Sequence, residues 1–273
     1  MTEHTNETSR SVDNLAALGL SHNHKRIRLL WMYPDTLSLH GGRGDIMALL
    51  RFATMARLPL EVRRVENLTD PVPLDDADML YFCCGDLSCM PDVIKALEPR
   101  KADLADFAAA GKVIVANGST GAILSNALQL MDGTVIPGLG LLGMRWTQRE
   151  TVHGDDLWLD APDGIQVIGN EIRLADVTLE PGQEPFATVR YGFGNNNTGT
   201  EGAMTRNVIY TGCLGPVLVR NPALAMALLK RASAAAEIPT EPDQFRLSSR
   251  QIPQEEKLLE EAKVFIRRKM RKQ

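Results

Sequence analysis

Residues 113–124 read VIVANGSTGAIL, and this segment carries the clearest signal of the fold class. Four small or apolar residues, Val113–Ala116, are followed at once by Asn117, Gly118 and Ser119, which favour turns. The pattern predicts a short buried strand, a tight turn, and a helix from about Thr120.

Further short apolar runs repeat this order of strand and turn. Ile27–Met32 is closed by Tyr33-Pro34-Asp35, and Met79–Cys84 ends at Gly85. Strands of this kind, alternating with helices, indicate an α/β fold with an open, mostly parallel, doubly wound sheet. The pattern also predicts a strand at Leu60–Val65 and helices from Asp45 to about Arg57 and from about Asp92 to Ala110.

The second half of the chain changes character. Residues 138–191 alternate between polar and apolar side chains and predict antiparallel additions to the sheet. The chain is then divided into a mobile leader (1–25), a main domain (26–235) and a C-terminal extension (236–273). The extension is predicted to be a linker rich in proline and charge, followed by a basic amphipathic helix from about Gln254 to Lys272.

Charge and cysteine usage exclude several functional classes. Six basic residues and no acidic ones lie in 263–273, and the rest of the chain has 24 basic residues against 34 acidic ones. An acidic body argues against nucleic-acid binding, although the tail could contact an acidic partner or an anionic surface. Cys83, Cys84, Cys89 and Cys213 fit neither a zinc motif nor a disulfide framework, which favours a reducing cytoplasm. No apolar run reaches the ~20 residues of a membrane span, and the polar start is unlike a secretory signal.

Three segments together carry a resemblance to a known family. They are YPDTLSLHGGRGD at 33–45, GLGLL at 138–142, and YGFGNNNTGTEG at 191–202, the last followed by Gly215-Pro216 and Asn221-Pro222. In their order and spacing over residues 27–232 the chain resembles the GatD branch of the class I glutamine amidotransferases, which are CobB/CobQ-like. The resemblance implies a flavodoxin-like sheet.

The resemblance also implies a function and a partner. GatD-type proteins pair with a MurT-like subunit of the Mur-ligase family and supply it with ammonia from glutamine. The heterodimer amidates the cell-wall precursor lipid II. The resemblance therefore implies a Mur-ligase-like partner and glutamine or a related small ligand, without a cofactor.

The residues that glutamine hydrolysis requires are missing from the expected places. Hydrolysis needs a cysteine thiolate, a histidine that activates it, and N–H groups that hold the oxyanion. By the resemblance Asn117 occupies the nucleophile position and Leu214 the histidine position, while Gly85 and Gly118 border the pocket. No histidine follows His153, and no cysteine lies between Cys89 and Cys213, so a cysteine and its histidine in the family's order cannot exist.

Three hypotheses remain open. The first is a degenerate pseudo-glutaminase that acts as the partner or regulator of a Mur ligase. The second is an active glutaminase with a substitute nucleophile, for which Cys213 and Ser119 are the candidates, although a serine at the start of a helix more often caps it. The third is a small-molecule binding module that reuses the glutamine pocket.

Polar residues outside the 113–124 segment are expected to have structural roles. His40 and His153 lack neighbours at metal-ligand spacing, so no metal site is expected. We expect Asp35, Arg43 and Asp45 to form a local ion pair that fixes the turn after the first strand.

Overall fold

The computed structural model describes residues 11–272, which form an α/β structure with two sheets. The strands of this region are β1 Ser11–Asp13, β2 Ile27–Met32, β3 Leu60–Val65, β4 Met79–Phe82, β5 Val113–Asn117, β6 Ala127–Gln129, β7 Val135–Pro137, β8 Met144–Asp160, β9 Gln166–Leu179, β10 Ala187–Tyr191, β11 Thr200–Glu201, β12 Ala203–Thr205 and β13 Val208–Thr211. Its helices are α1 Gly42–Met55, α2 Met90–Leu97, α3 Lys101–Ala109, α4 Gly121–Leu124, α5 Val217–Arg220, α6 Pro222–Ala235 and α7 Pro253–Met270.

The first sheet has seven strands in the order β1-β3-β2-β4-β5-β13-β12. Its five inner strands are parallel, and the two edge strands β1 and β12 are antiparallel to their neighbours. Every residue of β4 and β5 is buried, as expected for parallel strands covered on both faces. The mostly parallel, open sheet predicted from the sequence is confirmed.

The second sheet is mainly antiparallel and belongs to the second half of the chain. The long strands β8 and β9 form its central hairpin. Along the edge of β8 opposite β9, β10 pairs with the C-terminal end of β8 and is followed by β11, and β6 pairs with the N-terminal end and is followed by β7. Only the pairing of β6 with β8 is parallel. Asn170 of β9 forms an isolated antiparallel bridge with Leu214, which lies just after β13 of the first sheet. This bridge brings the β8–β9 hairpin beside the predicted site.

Two predicted helices differ from the observed ones. The helix predicted from Asp92 to Ala110 is divided into α2 and α3 by a tight 3-10 turn, Glu98–Arg100, that contains Pro99. Proline lacks an N–H and clashes with the preceding turn, so a helix tends to break there. Asp45 lies in the first turn of α1, whose N-cap is Gly41, so Asp45 does not cap the helix.

Part of the predicted mobile leader has defined structure. Strand β1 pairs with β3 in antiparallel register, from Ser11 opposite Arg63 to Asp13 opposite Glu61. The adjacent Asn14 is buried and hydrogen-bonds to the backbone of Leu60 and Leu58. The leader predicted for residues 1–25 is therefore shortened by this strand, and residues 1–10 lie outside the described part of the chain.

The C-terminal helix α7 packs against the main domain. Ile266 is 1% exposed and lies in a small apolar cluster with Trp158, Ile168 and Tyr191 of the second sheet. Ion pairs fix both ends of the helix, from Glu255 to Arg51 and from Lys269 to Asp155 and Asp156. The apolar face of this amphipathic helix is therefore buried against the main domain.

Candidate functional site

The VIVANGSTGAIL stretch forms a strand-to-helix elbow at the carboxyl end of β5. Asn117 is the last strand residue and has extended backbone angles, φ −126° and ψ 148°. Gly118 follows with φ +62°, and the chain then enters α4 at Gly121. A positive φ favours glycine, so the sharp turn of the elbow lies at Gly118.

Asn117, the predicted nucleophile position, is buried in the interior. Its side chain is 2% exposed, and Nδ2 donates to Asp45 Oδ2 over 3.4 Å. Its Oδ1 is buried without a hydrogen-bond partner among the described residues. The Asn117 amide therefore belongs to the structural interior beside the elbow.

Gly118 is the elbow residue whose side-chain direction points at Leu214. A Cβ atom built on Gly118 would lie 2.6 Å from Leu214 Cδ2 and 2.5 Å from Cys84 Sγ. Positions 118 and 214 therefore face each other at the elbow. The two side chains that fill the gap, Leu214 and Cys84, leave no room there for a third.

The N–H group of Gly85, next to the elbow, is already occupied. It donates to Ser119 Oγ over 3.3 Å, and Ser119 Oγ donates in turn to the carbonyl oxygen of Gly85 over 2.5 Å. Ser119 Oγ also lies 3.6 Å from Cys84 Sγ. An oxyanion hole needs free donors aimed at the reacting carbonyl, so Ser119 occupies a donor that such a hole would use.

A small cavity lies in front of the elbow. Its volume is about 40 Å³, room for about three water molecules at ~10–15 Å³ each. Gly85, Gly118, Ser119 and Leu214 all border it, so the structure brings these sequence-predicted residues together. The remaining wall is mainly Leu39, His40, Cys84, Trp146, Arg173 and Tyr210.

Cys213 and Cys84 occupy different environments. Cys213 is fully buried, does not border the cavity, and lies 2.3 Å from the position of a Cβ built on Gly169. Cys84 borders the cavity and is 5% exposed. Burial raises the pKa of both thiols, so both disfavour the reactive thiolate form.

Asp45 fastens three segments around the elbow. Its Oδ1 accepts the N–H of Leu218 over 2.7 Å, and its Oδ2 accepts from Tyr81 over 3.1 Å as well as from Asn117. Burial raises the pKa of this carboxyl to about 7, against the lowering effect of these hydrogen bonds. The ion pair expected among Asp35, Arg43 and Asp45 is wrong, because Asp45 is buried and Asp35 pairs with Arg64 at 3.5 Å.

A buried ionic cluster forms another side of the cavity. The Arg173 guanidinium bonds to Glu171 over 3.1 Å and to Glu201 over 3.4 Å, and all three side chains are at most 5% exposed. The carboxylates also accept N–H groups, Glu171 from Gly194 and Glu201 from Gly212. Sequence reasoning missed this cluster because Glu201 follows Arg173 by 28 residues, and the local pattern does not show that the two side chains meet.

Comparison with known proteins places this geometry in a family. The model of the CobB/CobQ-like glutamine amidotransferase domain matches residues 28–218, which include the elbow and Leu214. The chain is similar to the GatD subunit of the glutamine-hydrolysing lipid II isoglutaminyl synthase of Staphylococcus aureus (strain N315), with 24% identity over 219 residues. That match covers 77% of this chain and 86% of the relative.

Solved structures resemble the fold. PurLQS from Thermotoga maritima matches with a TM-score of 0.50 and 16% identity, over 78% of this chain and 98% of that one. A glutamine amidotransferase from Thermotoga maritima matches with a TM-score of 0.49 and 11% identity, over 88% of this chain and 91% of that one. The family match spans most of the chain, and it alone decides the assignment. This chain belongs to the CobB/CobQ-like glutamine amidotransferase domain family.

Proposed function

We propose that this protein is a GatD-like subunit that has lost glutaminase activity and serves a Mur-ligase-like partner without releasing ammonia itself. The observation that carries the proposal is the pairing of Gly118 with Leu214. The two positions that face each other across the elbow hold a hydrogen atom and an isobutyl group, neither of which can attack or move a proton.

The surroundings of the elbow support the loss of hydrolysis. Cys84 and Leu214 fill the space in front of Gly118, and Ser119 takes the N–H of Gly85. The cavity of about 40 Å³ is small for a glutamine side chain together with its backbone groups. Because its own side chains fill the site, they stabilise the fold but leave no room for a substrate to bind and react.

The proposed partner and substrate are inferred by analogy with the similar Staphylococcus aureus protein. The similar Staphylococcus aureus protein is named as a subunit of lipid II isoglutaminyl synthase, so it acts within a larger enzyme. By analogy the partner proposed here is a MurT-like ligase subunit, and the process is amidation of lipid II in the cytoplasm. Four unpaired cysteines favour that reducing compartment.

The decisive experiment is glutamine hydrolysis by the purified protein, alone and mixed with the MurT-like ligase of the same cell. An active GatD-type subunit with the same ligase is the positive control. We expect no glutamate above background in either condition and a stable complex on size-exclusion chromatography. Glutamate production would refute the loss of activity, and absence of a complex would refute the partner.

One observation favours a second candidate, an active glutaminase that uses Cys84. The Cys84 thiol lies within 2.5 Å of the place where a nucleophile's Cβ would be, and it borders the same cavity as His40. Cys213, the substitute suggested by sequence, is enclosed away from that cavity. If activity is found, Cys84→Ala must abolish it while Cys213→Ala leaves it in place.

Binding of a small ligand at the elbow is the remaining alternative. A ligand that binds only the folded state raises the melting temperature. Glutamine and glutamate are therefore tested by thermal shift. A rise that Ser119→Ala removes would support a binding module, and we expect no rise because the cavity holds only a few water molecules.

A further inference from the structure

The C-terminal half of α7 has an exposed face that the elbow and the packing of the helix do not use. Val264 is 43% exposed and Phe265 is 54% exposed, and Arg268, Arg271 and Lys272 are exposed beside them. The five residues lie close together, because positions three or four apart share one face of a helix, which groups Val264, Phe265 and Arg268, and because Arg271 and Lys272 form the turn directly after Met270. We call them the α7 patch.

The inner face of the same helix is anchored, so the patch is held outward. Ile266 is buried against Trp158, and Lys269 is tied to Asp155 at 2.6 Å and Asp156 at 2.5 Å. Arg267 lies over the Trp158 ring at 5.3 Å. These inward contacts use Lys269 and Arg267 and leave Arg268, Arg271 and Lys272 available to an external partner.

The charge of the patch is opposite to that of the body. No acidic residue lies in 262–272, whereas acidic residues outnumber basic ones over the rest of the chain. The nearest acids on the helix already have basic neighbours, Glu260 with Lys263 at 2.6 Å and Glu261 with Lys257 at 3.9 Å. Among residues 11–272 the patch therefore carries three cations without an ion-pair partner, beside an aromatic and a branched apolar side chain.

We propose that the α7 patch binds the surface of an anionic lipid bilayer. Arginine and lysine side chains are attracted to anionic headgroups, and a neighbouring phenylalanine gains free energy by entering the boundary between headgroups and acyl chains. A protein partner would need an acidic surface with an apolar cleft shaped for Phe265 and Val264, whereas a bilayer offers anionic headgroups beside an apolar interior everywhere along its surface. This inference goes beyond the proposed function, because it does not depend on whether the elbow is catalytic.

The test is cosedimentation of the full-length protein with vesicles. We expect it to bind mixed phosphatidylglycerol–phosphatidylcholine vesicles, to bind pure phosphatidylcholine vesicles far less, and to be released by salt. The variant R268Q/R271Q/K272Q should bind the mixed vesicles about 100-fold less tightly, at ~5-fold per lost cation. Phe265→Ser should cost roughly tenfold, with unchanged helix content by circular dichroism.

The matched control removes the same charge elsewhere. Lys95, Lys230 and Arg250 are exposed and lie outside α7, so K95Q/K230Q/R250Q should keep the wild-type affinity. Equal losses in the two triple variants would overturn the patch as the binding site. Absence of vesicle binding would overturn the proposal, and a complex with the ligase that only the α7 variant loses, without vesicle binding, would identify an acidic protein as the occupant instead.

Discussion

The N–H of Leu218 donates to Asp45 Oδ1 over 2.7 Å, which joins two residues 173 positions apart. Asp45 lies in the first turn of α1, and Leu218 lies in α5, just after the segment that contains Leu214. Because Asp45 also binds Tyr81 of β4 and Asn117 of the elbow, one carboxyl determines how these segments meet.

This arrangement predicts a pH-dependent stability that Asp45→Asn removes. The carboxyl has a pKa near 7 in the folded protein and about 3.9 when unfolded, so its contribution is full below about pH 4 and is lost as the pH rises through 7. Its share of the free energy of unfolding should fall by up to about 1.4 kcal/mol per pH unit over that window.

The measurement is urea unfolding of wild type and Asp45→Asn at several pH values between 4 and 8. As the pH rises, the unfolding free energy of the wild type should fall relative to that of Asp45→Asn. Asp35→Asn is the control, since Asp35 is exposed and pairs only with Arg64 among the contacts described. A difference that is flat across the range would mean that Asp45 ionises as freely as a surface carboxyl.

The packing in front of the elbow predicts the cost of restoring a side chain at Gly118. Gly118→Ala adds a Cβ at φ +62° and within 2.6 Å of Cys84 and Leu214, so it combines backbone strain with overpacking. We expect a loss of about 2–4 kcal/mol in unfolding free energy. Gly111→Ala is the matched control, because Gly111 has φ +78° and nothing within 4 Å of its Cβ position.

A double-mutant cycle separates the clash from the strain. Cys84→Gly removes the thiol that the new Cβ would meet, so it should recover about 1–2 kcal/mol of the loss caused by Gly118→Ala. The same change combined with Gly111→Ala should recover nothing. If both combinations behave alike, Cys84 does not fill the space in front of the elbow.

The burial of the thiols predicts which cysteine reacts in the native protein. Cys89 is partly exposed, whereas Cys83, Cys84 and Cys213 are buried, and burial raises the pKa of these three. A brief iodoacetamide pulse followed by mass spectrometry should therefore label Cys89 alone, and Cys89→Ser should abolish labelling. Comparable labelling of Cys84 would show an accessible thiolate at the elbow and would revive the enzymatic alternative.

The sequence predicts well the features that depend on residues close together in the chain, and poorly those that depend on contacts between distant residues. Apolar runs such as Val113–Ala116 carry local information and predicted the parallel sheet, and the alternation in 138–191 predicted antiparallel strands, which form a second sheet. The division of the 92–110 helix at Pro99 could also have been found locally, since proline restricts helices by itself.

The contacts at the site are non-local and could not be read from the pattern. The resemblance placed Asn117 at the nucleophile position, yet it is Gly118 that turns with positive φ and faces Leu214. The glycine at 118 is a local signal for this turn, but its contact with Leu214, 96 positions later, depends on how the two segments meet in space. The contact of Asp45 with Leu218 likewise depends on how helices meet in space.

The buried cluster around Arg173 predicts a large loss of stability when the arginine alone is removed. Arg173→Met leaves Glu171 and Glu201 buried without their cation, which should cost about 3–5 kcal/mol in unfolding free energy. Burial already raises the pKa of Glu201, and without the opposing charge of Arg173 its pKa should rise further. Because an acid with a raised pKa in the folded state loses stability as the pH increases, the variant should be hurt more at pH 8 than at pH 5.

The triple variant E171Q/R173M/E201Q shows whether Arg173→Met loses stability because two buried carboxylates lack their cation or because the arginine no longer packs. It removes the uncompensated carboxylates together with the arginine, so urea unfolding should show recovery of much of the loss and little remaining pH dependence. The amides keep acceptor oxygens for the N–H groups of Gly194 and Gly212. If the triple variant is as unstable as Arg173→Met, the arginine stabilises this wall of the cavity by shape, because Gly212 packs directly against its guanidinium.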